Sequence, residues 1–193
     1  MPVAERAGKR EVLQLRRAEL LRSAGYTFDV VVADVDESIR PGESPSTYVR
    51  RLAAEKSAAA QKRTHDGTAM ILGADTTVVV DGEILGKPQD DGEGREMLRR
   101  LSGQVQQVMT GVSLRQGAFA ARRVEISSVT FRPLTDADID WYVASGEGRD
   151  KAGGYAIQGL ASRFIPAIAG SYSNVVGLPV ACLDELLRSL LAS

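Results

Sequence analysis

One cysteine and one histidine are all the thiol and imidazole that this 193-residue chain contains. With Cys182 alone, no disulfide closes within the chain, a usage that fits a reducing compartment. Cys182 lies in the apolar stretch "LPVACL" and reads as a small buried hydrophobe. His65 lies in the polar stretch "KRTHDGT". A histidine and a cysteine so far apart do not suggest zinc, and a Ser-His-Asp triad would rest on a histidine with no motif around it. No apolar run reaches the length of a membrane span. The opening "MPVAERAGKREV" lacks the apolar centre of a signal peptide. An excess of charge is missing too: 24 basic residues stand against 25 acidic ones, for a net charge of -1. That is not the footprint of a dedicated nucleic-acid binder, and aromatic residues, at 5%, are few for base stacking. The expectation is a soluble, cytoplasmic protein with neither a membrane nor nucleic acid among its partners.

What is present suits a single domain over 1–193 with no separable linker, long enough to bury a core without disulfides. Residues 12–24 read as a helix stopped at Gly25. "YTFDVVVADV" reads as a strand. Ser44-Pro45 marks the start of a helix running to about Arg63. "TAMILGAD" and "TTVVVD" read as buried strands, Asp81-Gly82 as a hairpin turn and "EILG" as its return strand. "DGEGREMLRRLSG" predicts a helix ending at Gly103. Two strands are expected to meet near Gln116-Gly117, and Thr135 with Asp138 forms a capping box. "DKAGGYAIQG" reads as a loop followed by a strand, and Pro179 opens a last helix. Helices and strands intermix, so the fold class is α/β (mixed), with a mixed sheet.

The chemical signal is charge where periodicity calls for burial. In the helix after Pro45, the apolar stripe runs through Val49, Leu52, Ala53, Ala59 and Ala60, and Lys56 falls inside it. Arg17 shares a helical face with Leu13, Leu20, Leu21 and Ala24, with Arg16 beside it. Paired arginines near a helix start suit phosphate oxygens. Asp75 closes a run of small residues at a strand, where a carboxylate can approach a metal or ligand closely. Magnesium prefers such oxygens together with substrate phosphates. Lys87, set between Gly86 and Pro88, is a fixed point charge. Cations and carboxylates without a usable imidazole or thiol point to phosphate chemistry rather than acyl transfer.

The stretches "GADTTVVVDGEILGKP", "DKAGGYAIQG" and "IAGSYSNVVGLPV" resemble the motifs of the Maf family of nucleoside triphosphate pyrophosphatases. "RRAELLRSAG" is similar to the second half of that family's first motif, and "YVRRLAAEKSAAA" to its lysine-bearing helix. Ala-Asp-Thr followed later by Ile-Gln-Gly resembles the branch acting on dTTP and UTP. The resemblance implies an elongated molecule with a twisted mixed sheet flanked by helices, two lobes around a deep central cleft, and a homodimer. It implies catalytic roles for Asp75, Lys56, Lys87 and Glu37. Asp75 would be general base or magnesium ligand, and Glu37, in "VDES", a second acidic group near the metal. It implies that Arg16, Arg17, Thr76, Lys151 and Gln158 bind substrate, with Arg16, Thr76 and Gln158 linked to its choice. The implied cofactor is a divalent metal, Mg2+ first and Mn2+ as the alternative.

One departure stands out. The family's first motif carries Ser-x-Ser-Pro ahead of the two arginines, whereas "REVLQL" occupies that place here. Two alternatives follow: a catalytically impaired nucleotide binder of the same fold, or a nucleic-acid binder using the arginine pairs at 16–17, 50–51 and 122–123.

Overall fold

A computed structural model describes residues 9–64, 66 and 68–191, with the backbone alone described for 9–14 and 191. The expectation for His65 falls outside the described residues. Among the described residues six α-helices and five strands follow one another as α1 (Lys9–Ser23), α2 (Pro45–Arg63), β1 (Ile71–Val80), β2 (Glu83–Leu85), α3 (Asp91–Leu101), β3 (Val105–Gln116), β4 (Phe119–Thr130), α4 (Asp136–Ala144), β5 (Ala167–Ala169), α5 (Tyr172–Val176) and α6 (Val180–Leu191). The strands form one open sheet in the order β2-β1-β3-β4-β5.

Among the described residues every strand pair is antiparallel, not mixed as expected. Tight turns enforce this for β1–β2 and β3–β4, each joined by two residues, since such a connection joins only antiparallel neighbours. Asp81 and Gly82 both take positive φ (51° and 79°) in the β1–β2 turn, the backbone that matches the twist of a hairpin. The two apolar stretches around Asp75 form one continuous strand, β1.

Two other strand expectations fail. Tyr26–Val35 is not a strand. Its valines have the right propensity, but a strand needs an edge to pair with and a surface to pack on. Here Val30 and Val32 are more than half exposed, and the Val32 carbonyl accepts from Arg63. Residues 155–158 are likewise no strand. The Ala156 amide donates to the Tyr142 hydroxyl at 3.1 Å, and the buried Tyr155 hydroxyl meets Gln106. At Ala156 a side chain thus takes the amide that a ladder would have paired.

The helix signals translate directly. Ser44 caps α2 through Thr47 N, and Thr135 and Asp138 form the capping box of α4. The two faces of the sheet are divided by strand alternation. Odd-numbered Gly73 and Gly111 face α2, and even-numbered Ala74, Val112 and Leu114 pack with Leu178, Leu183 and Leu186 on the other face. A larger apolar cluster, including Leu98, Val108, Phe131, Tyr142 and Phe164, fills the far end. Cys182 is buried, as expected.

Gly73 and Gly111 let α2 lie directly on the sheet. A Cβ at Gly111 would sit 2.1 Å from the Val49 carbonyl oxygen, and one at Gly73 would sit 2.3 Å from that of Ala53. Those atoms are helix backbone and cannot rotate away. Gly111→Ala is therefore expected to cost about 3 kcal/mol, the upper range for overpacking. A urea titration reads this as a lower midpoint at unchanged slope. An unchanged midpoint would show that α2 shifts freely.

Candidate active site

β1 has a strand neighbour on the β2 side only at Val78–Val80. Its residues 71–77 therefore present an open edge, bounding a cavity of about 680 Å3 that reaches both faces of the sheet. Asp75 lines the cavity from the α2 face and Thr76 from the opposite one. Arg16, Arg17, Glu37, Lys56, Lys87 and Lys151 line it as well. Eight of the nine expected site residues thus meet in one cavity. The ninth, Gln158, is exposed and lies outside its lining.

Lys56 is the centre of the charge arrangement. Its Nζ lies 2.6 Å from Asp75 Oδ1 and 2.8 Å from Glu37 Oε1. This is why a lysine stands in an apolar stripe: its stem follows the buried face of α2, and its ammonium bridges two carboxylates from different elements. Asp75 is buried. Burial pushes its carboxyl above the ordinary value, while Lys56 and Arg17 pull it back. The Arg17 guanidinium is drawn down by burial against the pull of Asp75 and Glu37.

Arg17 is held on the other face. Its Nε donates to the Gly177 carbonyl at 2.9 Å, and its Nη2 to Thr76 Oγ1 at 3.1 Å. Thr76 Oγ1 also lies 2.9 Å from Thr110 Oγ1 and 3.1 Å from the Gly177 carbonyl. The hydroxyl of Thr76 is therefore spent on fixing Arg17 and α5. The Gly177 carbonyl has no signature in side-chain patterns. It is fixed by Asn174, which is fully buried and donates to Val108 O and Ser127 Oγ, each at 3.0 Å.

The other two cations arrive together. Gly153 N donates to Gly86 O at 2.9 Å, tying the segment after Lys151 to the residue before Lys87. Gly153 has φ +71°, and a Cβ there would come within 2.9 Å of the Val78 side chain. Only glycine lets this loop close on β1. Lys151 is buried and contacts Asp150. Among the described residues Lys87 has no ion-pair partner, so its charge faces the cavity uncompensated.

One member of each arginine pair considered for nucleic acid is engaged elsewhere. Arg17 serves the cavity, Arg51 is bound to Glu43 and Glu55, and Arg123 lies 3.5 Å from Glu185. Sequence reading missed Arg51 and Tyr48, whose spacing with Glu55 on one face of α2 was the available signal. Five cations with three carboxylates, Asp29, Glu37 and Asp75, around one cavity can take a polyphosphate and polarise water beside it.

The family model of the Maf-like protein matches residues 15–190. A dTTP/UTP pyrophosphatase of Syntrophus aciditrophicus is 46% identical over 177 residues, 91% of this chain and 85% of its own length. One from Anaeromyxobacter dehalogenans is 49% identical over 178 residues, 90% of this chain and 88% of its own. Another from Shewanella oneidensis is also 49% identical over 178 residues, 89% and 92% of the two lengths.

Proposed function

This chain belongs to the Maf family, and on that premise we infer that it is a pyrophosphatase hydrolysing dTTP and UTP to the monophosphate and pyrophosphate. The observation that carries the reading is Lys56 bridging Asp75 and Glu37 in the cavity that Arg17, Lys87 and Lys151 also line. Phosphoryl chemistry needs positioned charge more than covalent machinery, and that is what this arrangement supplies. The preference for pyrimidines rests on the names of the relatives, since Thr76 is internally bonded and Gln158 is exposed.

In this reading the cations hold the triphosphate along the cavity with its α-phosphorus near Asp75. Asp75 takes a proton from water as the water oxygen bonds to that phosphorus. The bond from the α-phosphorus to the bridging oxygen breaks, and pyrophosphate leaves among the lysines. Among the described residues there is no group of three or more metal-ligating side chains. Two carboxylates suffice for Mg2+, which keeps waters and takes phosphate oxygens for the rest of its shell. Asp75 and Glu37 would hold it, with Mn2+ as the substitute. Bound there, the ion would offset charge on the phosphates. The reading also includes a homodimer, on the family resemblance, and a cytoplasmic setting, on the single cysteine.

A pyrophosphate-release assay over a nucleotide panel with Mg2+ tests it. The kcat/KM for dTTP and UTP should exceed that for purine triphosphates by roughly tenfold or more, because a site reading one hydrogen-bonding edge leaves its groups unpaired against another. Diphosphates should be poor, because they lack pyrophosphate as the leaving group. Preference for GTP or its methylated form would overturn the substrate assignment. Binding of dTTP without turnover would favour the impaired-binder alternative.

A further inference from the structure

Glu37 lies in a segment with no secondary structure of its own, yet its carboxylate meets Lys56 at 2.8 Å. Something must hold residues 36–38 in place, and the contacts on their backbone identify it. Arg51 Nη2 donates to the Ser38 carbonyl at 2.9 Å, and Nη1 reaches the Asp36 carbonyl at 3.5 Å. Between them, the Tyr48 hydroxyl donates to the Glu37 carbonyl at 3.0 Å. Three consecutive carbonyls are thus received by two side chains one turn apart on α2. Within the segment, Asp36 Oδ1 accepts from Ser38 N at 2.9 Å.

The arginine is itself immobilised. Its Nε and Nη2 form a fork onto Glu43, at 2.6 and 2.8 Å, and Nη1 reaches Glu55 at 3.2 Å. Its guanidinium stacks over the Tyr48 ring, 5.6 Å from the centroid. The Arg51 side chain is 11% exposed and that of Glu43 5%, so the fork is shielded from water. Hydrogen bonding from Arg51 holds the Glu43 carboxyl down to about 2. A surface arginine awaiting a polyanion is not built this way, and a merely structural ion pair has no need to collect the two carbonyls flanking an active-site carboxylate. The helix carrying this clamp is the helix carrying Lys56, so one rigid element sets both partners of the Lys56–Glu37 pair.

We propose that Arg51, assisted by Tyr48, is a positioning residue that fixes Glu37 against Lys56 in the cavity. The inference rests on the reading of Glu37 as a working carboxylate of the pyrophosphatase site. Arg51 is not among the residues lining the cavity, so it would act through Glu37 rather than on the substrate. Outer partners that orient acidic groups of this kind typically change activity by roughly 10- to 100-fold when removed.

Arg51→Met is expected to lower kcat for dTTP by that factor, with a smaller change in KM. In a Glu37→Gln background the same substitution should add little, because the group it positions is already gone. Arg51→Lys should recover little, because one ammonium cannot reproduce the planar fork. Independently of activity, hydrogen exchange at the amides of residues 37–40 should quicken in Arg51→Met. Tyr48→Phe removes one hydroxyl and should move the same readouts in the same direction by less. It keeps the question decidable should Arg51→Met fail to fold. Unchanged exchange at 37–40, or effects of Arg51→Met and Glu37→Gln that multiply fully, would overturn the proposal. If the parent protein hydrolyses no nucleotide, the functional reading falls, while the exchange measurement still decides whether Arg51 holds the segment.

Discussion

Asp75→Asn is expected to lower kcat by roughly 100-fold or more, the usual scale for a general base, without unfolding the protein. The swap conserves volume and removes only the charge. Its consequence for stability follows from the sign of the pKa shift. Burial raises the Asp75 carboxyl above 3.8 in the folded state, so the folded protein holds this proton more tightly than the unfolded chain does. Stability from this group is present at low pH and is lost as pH rises through the folded pKa. At neutral pH the ionised carboxylate opposes folding, so the asparagine variant should melt no lower than its parent. Pyrophosphate release and a circular dichroism melt on the same preparation separate the two effects. Near-parental turnover would end the assignment of Asp75. Loss of the fold would make it a structural residue.

The same shift sets the pH profile. Turnover needs the ionised carboxylate, so kcat/KM should climb through an acid limb centred above 3.8. Lys56 is the largest influence pulling that carboxyl down. Lys56→Met should therefore move the limb to higher pH as well as lower the plateau. A limb that stays put would mean that the titrating group is not Asp75.

Placing a Ser-x-Ser-Pro turn ahead of Arg16 is expected to raise kcat on the order of 100-fold, the yield of one preorganised donor to a developing oxyanion. α1 runs as a helix from Lys9 through Arg17. Beyond its first turn, each backbone amide is committed to a carbonyl four residues earlier. The residues just before Arg16 therefore have no amide to offer a phosphate. Binding should change less than turnover, because Arg17, Lys56, Lys87 and Lys151 supply most of the charge a triphosphate meets. A binding isotherm for dTTP beside a turnover assay makes the comparison. If the parent already matches a relative that has the turn, other donors serve the phosphates and this account of α1 is wrong.

The helices and turns were legible because their causes are local. Ser44-Pro45, Thr135 with Asp138, and Asp81-Gly82 act on backbone within a few residues, and each appears as expected. The misplaced charges of Lys56 and Arg17 were legible as well, since a cation inside an apolar stripe conflicts with its own helix whatever the fold. What those charges meet was not legible. Lys56 reaches Asp75 across nineteen residues and Arg17 reaches Gly177 across 160, and no periodicity encodes a partner at that distance.

The sequence by itself determined five of the six α-helices, the hairpin turns, the class of chemistry and most of the cavity's charged residues, because propensity, capping and charge placement act over short range. Tertiary structure decided which apolar segments became strands. The valines of 26–35 pair with no strand, although β1 leaves residues 71–77 open on its β2 side, whereas those of β1 pair with β2 and β3. It decided also that the open edge of β1 brings Asp75 and Thr76, on opposite faces, into one cavity. It decided that Arg51, half of an ordinary-looking basic pair, turns inward to hold Glu37. Pairing, burial and desolvation depend on what lies alongside a residue in space, and only the folded chain supplies that.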